Sequence, residues 1–131
     1  MSKVVKFGGS SLADAKQFKK VADIIHADPE RRYVVPSAPG KRFKEDTKVT
    51  DMLYRCYDEV AVQGKDFAES FAPIMERYNG IISDLGLSLS LDEEFAKIGE
   101  NFRAAAGSDY AASRGEYLNG IVLANYLGFE F

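Results

Sequence analysis

The chain opens with a short apolar run, VVKF at 4–7. Its hydrophobic residues fall on both faces and predict a strand covered on both sides. From SSLAD onward the period changes. Leu12, Ala15, Phe18, Ala22 and Ile25 recur at helical spacing, and Ser11 with Asp14 resembles a capping box in which Asp stands for Glu or Gln. DPERR at 28–32 ends that helix, and YVV at 33–35 reads as a second short strand. Pro36 has no ladder donor, so the strand stops there or turns that edge to an unpaired side. Residues 36–48, PSAPGKRFKEDTK, form the longest expected loop.

The second half is helical almost throughout. Thr50 is placed to cap DMLYRCYDEVAVQG, with Met52, Leu53, Cys56, Tyr57 and Val60 on one face and Gly64 as the stop. Phe67, Phe71, Ile74, Met75, Tyr78 and Ile82 continue the period, and Pro73 is expected to kink or restart that helix. Ser90 and Glu93 suggest a capping box before Phe95, Ile98 and Phe102. Ser108 is the expected cap of the last helix, and Gly128 its C-cap. GFEF at 128–131 reads as the start of a third strand, inside which the sequence stops. An open sheet of three short strands leaves edges and helix faces uncovered, which predicts the N-terminal part of a larger α/β domain.

Composition narrows the function. The 131 residues are 46% hydrophobic and 28% charged, as in an ordinary soluble domain. The net charge of -3 is spread along the chain, so no footprint for nucleic acid is visible. No apolar run reaches the roughly 18 residues of a membrane helix, and MSKVVKFGG lacks a signal-peptide core. One cysteine, Cys56, excludes an internal disulfide and suits the cytoplasm. One histidine, His26, leaves too few ligands for a Cys/His metal site, and a place near a helix end accounts for it.

The candidate chemistry lies at KFGGSS, residues 6–11. Glycines after a strand and before a helix let backbone N–H groups approach an oxyanion, and Lys6 can add an ammonium. The pattern is neither a Walker A loop nor G-x-G-x-x-G. On spacing alone, a phosphate cradle and a tight strand-to-helix turn with a serine cap both stand. PSAPGK is likewise a second ligand loop or a surface turn. Lys41, Arg42 and Lys44 read as a solvated basic run, Thr50 as a cap, and Glu116 as an exposed glutamate beside the helical Gly115.

In this order KFGGSS, VVPSAPGK (34–41), KVTDML (48–53) and SRGEYLNG (113–120) resemble the N-terminal part of the aspartokinases, in the amino-acid kinase superfamily. Pro36 departs from the commoner form, where an aliphatic residue precedes Ser-Ala, but leaves Ser37 in place. The resemblance implies a partial amino-acid kinase (carbamate kinase-like) α/β fold, with short parallel strands covered by several helices and a helix-rich second half. It also implies ATP-dependent phosphorylation of the L-aspartate side-chain carboxylate to 4-phospho-L-aspartate, the first step towards lysine, threonine and methionine.

By the same resemblance Lys6 is catalytic, and Lys6, Gly8, Gly9 and Ser10 hold the ATP phosphates. Ser37, Thr50 and Glu116 contact the substrate, and Mg2+ is carried by the nucleotide without a protein ligand in this chain. ATP and L-aspartate are then the partners, with no nucleic acid or membrane, and a homo-oligomer is left open. The family's adenine-binding segment, an arginine for the substrate carboxylate and the regulatory ACT domains lie beyond residue 131, so an incomplete active site is expected. A glutamate or acetylglutamate kinase, or a non-catalytic module of the same fold, are the alternatives.

Overall fold

The structure is a computed structural model and describes residues 1–131. Two parallel strands, β1 (Lys3–Phe7) and β2 (Arg31–Pro36), are joined by a 3-10 turn (Gly9–Leu12) and helix α1 (Ala15–His26). The crossover follows the rule that parallel neighbours need a helical connection. Helices α2 (Val49–Tyr57), α3 (Phe67–Asp84), α4 (Asp92–Arg103) and α5 (Ser108–Leu127) follow, and α2 continues into a π-helical turn at Asp58–Val62. No helix is long and apolar enough to cross a membrane.

The apolar faces expected from periodicity form the core. Phe18 and Ile25 of α1, Leu53 and Cys56 of α2, Phe71, Ile74 and Tyr78 of α3, Phe95 and Phe102 of α4 and Leu118 and Val122 of α5 pack into one cluster. Its aromatic centre is built from Phe67 stacked on Phe71 (centroids 4.8 Å) and Phe95 edge-on to Phe71 (5.3 Å). Such pairs each add about 0.5–1.5 kcal/mol beyond area burial.

Several local expectations are corrected. Ser11 lies inside the 3-10 turn, and Asp14 caps α1 by accepting from Gln17 N at 3.0 Å. Thr50 is the second residue of α2; the capping position falls to Lys48, with no side-chain bond, because Val49 N is tied to Pro39 O at 3.0 Å. Ser108 opens α5 after Gly107, whose positive φ of 114° suits glycine, and Ser90 accepts from Asp92 N one position before the cap of α4. Pro73 neither breaks nor restarts α3. It is exposed and removes one bond, while Phe71, Ile74 and Tyr78 anchor the turns on either side.

The sheet departs further. GFEF forms no third strand. Gly128 adopts a left-handed conformation (φ 73°), and Phe129 N donates back to Ala124 O at 2.9 Å, a Schellman ending that turns the chain over its own helix. Phe131 then packs edge-on against Tyr117, with ring centroids 5.5 Å apart. Nor are the strands covered on both sides. Val5, Phe7 and Val34 meet the core, whereas Val4 is 70% and Tyr33 59% exposed on the opposite face. Pro36 ends β2 opposite Phe7, and Ser37 N donates to Phe7 O, so the missing donor at 36 faces the free edge.

Candidate active site

Because β1 and β2 are parallel, their carboxyl ends lie side by side and both following loops leave from the same edge. This is where open α/β sheets bind ligands. Lys6, the penultimate residue of β1, is exposed and takes part in no ion pair. The amides of Gly8, Gly9 and Ser10 donate to no backbone carbonyl, so three successive N–H groups are without a protein partner just past the strand end that carries Lys6. That donor set suits an oxyanion.

The loop after β2 is docked against this turn backbone to backbone. Gly40 N donates to Gly9 O at 2.8 Å, and a Cβ on Gly40 would lie 2.6 Å from the Gly9 carbonyl carbon. Only glycine fits there. Ala38, Pro39 and Gly40 are buried, so this part of PSAPGK is no surface turn, whereas Lys41 to Glu45 are exposed.

Helix α5 closes the other side. A Cβ on Gly115 would sit 2.7 Å from the Ala38 Cβ and 3.2 Å from Leu53 Cδ1, so this glycine lets the helix reach the loop. Tyr78 is fully buried and donates to Gly115 O at 2.8 Å; burial pushes its phenol well above the ordinary range. Asn119 Nδ2 donates to Ser37 O at 2.7 Å. Glu116, three residues before Asn119 on the helix, is exposed and free of any cation within the chain. Thr50 is half-buried in the first turn of α2, next to Val49, which packs towards Gly115. Through these links the glycine turn, Ser37, Thr50 and Glu116 belong to one contiguous region.

Three features of this region escape the sequence reading. Arg77 on α3 donates through Nη1 to Thr47 O (3.2 Å) and through Nη2 to Ala13 O (3.0 Å) and Gly40 O. Its partner Asp46 lies 3.6 Å away and is gripped by Arg42 through Nε (2.7 Å) and Nη2 (3.0 Å). The bond from Arg42 holds the Asp46 carboxyl well below the usual carboxylate range, helped by the Arg42 and Thr47 amides and the Arg77 charge. Burial, then the Arg42 charge, lower the Arg77 guanidinium, with Asp46 opposing.

Arg77 Nε and Asn119 Oδ1 are buried without partners, at a cost of about 1–3 kcal/mol each. The available signal was a polar residue at a core position: Arg77 falls between Ile74 and Ile81, Asn119 between Leu118 and Val122.

Other candidates lie elsewhere. His26 is exposed at the end of α1. Cys56 is buried, and burial pushes its thiol up to about 12, so it is no nucleophile at neutral pH. No group of three or more His, Cys, Asp or Glu side chains is placed to hold a metal ion.

A donor-rich turn at the carboxyl edge of a parallel sheet, docked on a second loop and a helix, defines the class. The model of the amino acid kinase family matches residues 1–128, and the chain belongs to that family. Within it, the chain is 39% identical over 136 residues to Aspartokinase 3 of Bacillus subtilis (strain 168), covering 98% of this chain and 29% of that protein. It is also similar to the crystal structure of Clostridium acetobutylicum aspartate kinase, with a TM-score of 0.91 and 52% identity over 98% of this chain and 30% of that one. E. coli aspartokinase III in complex with aspartate and ADP gives a TM-score of 0.74 at 25% identity, over 98% of this chain and 29% of that one. The chain thus spans less than a third of the length of these relatives.

Proposed function

We propose that this chain supplies the phosphate loop and most of the amino-acid pocket of an aspartate kinase, which transfers the γ-phosphoryl group of ATP to the side-chain carboxylate of L-aspartate. One observation carries the reading. The segments that carry the unpartnered amides of Gly8, Gly9 and Ser10, Ser37 and Glu116 are joined by the Gly9–Gly40 and Gly115–Ala38 contacts, while Lys6 and Glu116 are exposed and free of ion pairs. The similarity to aspartokinases, one of them in complex with aspartate and ADP, supports the same assignment.

Phosphoryl transfer needs positioning and charge neutralisation more than covalent chemistry. Lys6 and the glycine-turn amides would bind the phosphate oxygens. Glu116 would balance the substrate ammonium, and Ser37 and Thr50 would hydrogen-bond its polar groups. The acceptor carboxylate, with an ordinary pKa of about 3.9, is ionised at pH 7, so no general base is required. Mg2+ bound with ATP would neutralise phosphate charge. The residues here fit the anionic end of such a ligand and offer no separate metal set. The rest of the site would come from outside residues 1–131, and the isolated chain is expected to show no turnover.

The test is Lys6→Ala in the full-length protein, assayed by ATP turnover with aspartate, glutamate and acetylglutamate as acceptors. Turnover with aspartate should exceed that with the others and fall roughly 10²–10³-fold in the variant, the loss typical of removing one charge-stabilising donor. The unfolding midpoint should not move, because Lys6 is exposed and unpaired. Unchanged turnover would refute the role of Lys6; a preference for another acceptor would reassign the kinase.

A further inference from the structure

Arg77 sits on α3, outside the residues assigned to a ligand, yet its bonds run to both ligand loops. Ala13 O lies just past the glycine turn, while Gly40 O and Thr47 O belong to the loop that carries Ser37. We propose that Arg77 is the positioning residue of the candidate site, fixing the separation of the 8–13 and 37–48 loops so that the phosphate and the acceptor carboxylate meet in line. The inference rests on the kinase reading above for what the loops hold, but not for how they are held.

Arg77 is the one charged side chain buried in the chain. A guanidinium offers rigid donors on two separate nitrogens, which here reach three carbonyls on different segments. A lysine ammonium is a single centre and cannot span them. Asp46 supplies the counter-charge from within the same loop, and Arg42 holds Asp46 in place. An arginine that served packing alone would not need three carbonyl partners in two loops.

The test compares Arg77→Lys and Arg77→Met with Ile74→Val in the full-length protein. Arg77→Lys keeps a charge facing Asp46 and the buried stem, so the helix stays packed even if Arg77→Met folds poorly. Ile74→Val loosens the buried face of the same helix and removes none of the hydrogen bonds to the loops.

In limited trypsin digestion, cleavage after Lys41, Arg42 and Lys44 should accelerate about tenfold in Arg77→Lys as the loop opens more often. It should stay at the wild-type rate in Ile74→Val. In steady-state kinetics kcat should fall about 10²-fold, as a 1 Å misplacement of reacting groups can do, with KM for each substrate changing much less.

Wild-type cleavage in Arg77→Lys, or equal acceleration in Ile74→Val, overturns the proposal. So does an unchanged kcat in a variant whose loop is opened. A wild-type protein without aspartate kinase activity would instead defeat the functional reading, and the cleavage comparison would still decide whether Arg77 holds the loops.

Discussion

At the scale of single residues, the 37–48 loop depends on one carboxylate shared by two arginines. Asp46 accepts from the Arg42 guanidinium and amide and faces Arg77 at 3.6 Å. Its folded-state pKa is depressed from the ordinary 3.8, so the unfolded chain takes up this proton first as pH falls. The contribution to stability is therefore complete above about pH 5 and is lost progressively below about pH 4. We expect the thermal midpoint of the wild type to drop more steeply than that of Asp46→Asn between pH 5 and 3. Parallel curves would show that the Arg42–Asp46–Arg77 arrangement adds nothing to stability. The sequence displayed Lys41, Arg42 and Lys44 as a solvated run, and for Lys41 and Lys44 that holds. Arg42 differs because Asp46, four residues on, folds back to meet it.

At the scale of elements, helix faces were legible and helix starts were not. Periodicity identified Phe71, Ile74, Tyr78 and Ile82 of α3 as core because an amphipathic helix has no other way to bury its stripe. The hydroxyls of Ser11, Thr50 and Ser108 missed the capping positions where the backbone is already tied: Ser11 N donates to Gly8 O within the 3-10 turn, and Gly107 N, before Ser108, donates to the Tyr57 hydroxyl. The bond from Val49 N to Pro39 O is the clearest case.

Two helical glycines make a sharper comparison. A Cβ on Gly80 of α3 meets nothing within 4 Å, whereas one on Gly99 of α4 would lie 2.9 Å from the Phe67 ring. Gly80→Ala should therefore stabilise the chain by about 0.5–1 kcal/mol through helix propensity. Gly99→Ala should destabilise it by about 1–3 kcal/mol, as overpacking does. Chemical denaturation measures both. The same sign for the two would mean that α3 and α4 are not packed as described.

At the scale of the whole molecule, the sheet is the uncovered part. Val4, Tyr33 and Val35 form an exposed apolar face, and β2 keeps a free edge. The isolated 131-residue chain should bind an apolar fluorescent dye in its folded state, and Val4→Thr with Tyr33→Thr, which retain strand propensity, should reduce the signal. Dye binding unaffected by both substitutions would place the apolar surface elsewhere.

Local order along the chain sufficed for the α/β class, the strand–glycine–helix start and the family resemblance, because these depend on spacing and on residue types that act within a few positions. It left open whether GGSS was a phosphate cradle or a capped turn, and whether PSAPGK was a ligand loop or a surface turn. Contacts between residues far apart in sequence bear on both. Gly9 meets Gly40, Ala38 meets Gly115, and Arg77 reaches Ala13, Gly40 and Thr47. No periodicity encodes such pairings, since they arise only when packing brings separate segments within a hydrogen bond of one another. They turn KFGGSS from a permissive turn into one wall of a built region.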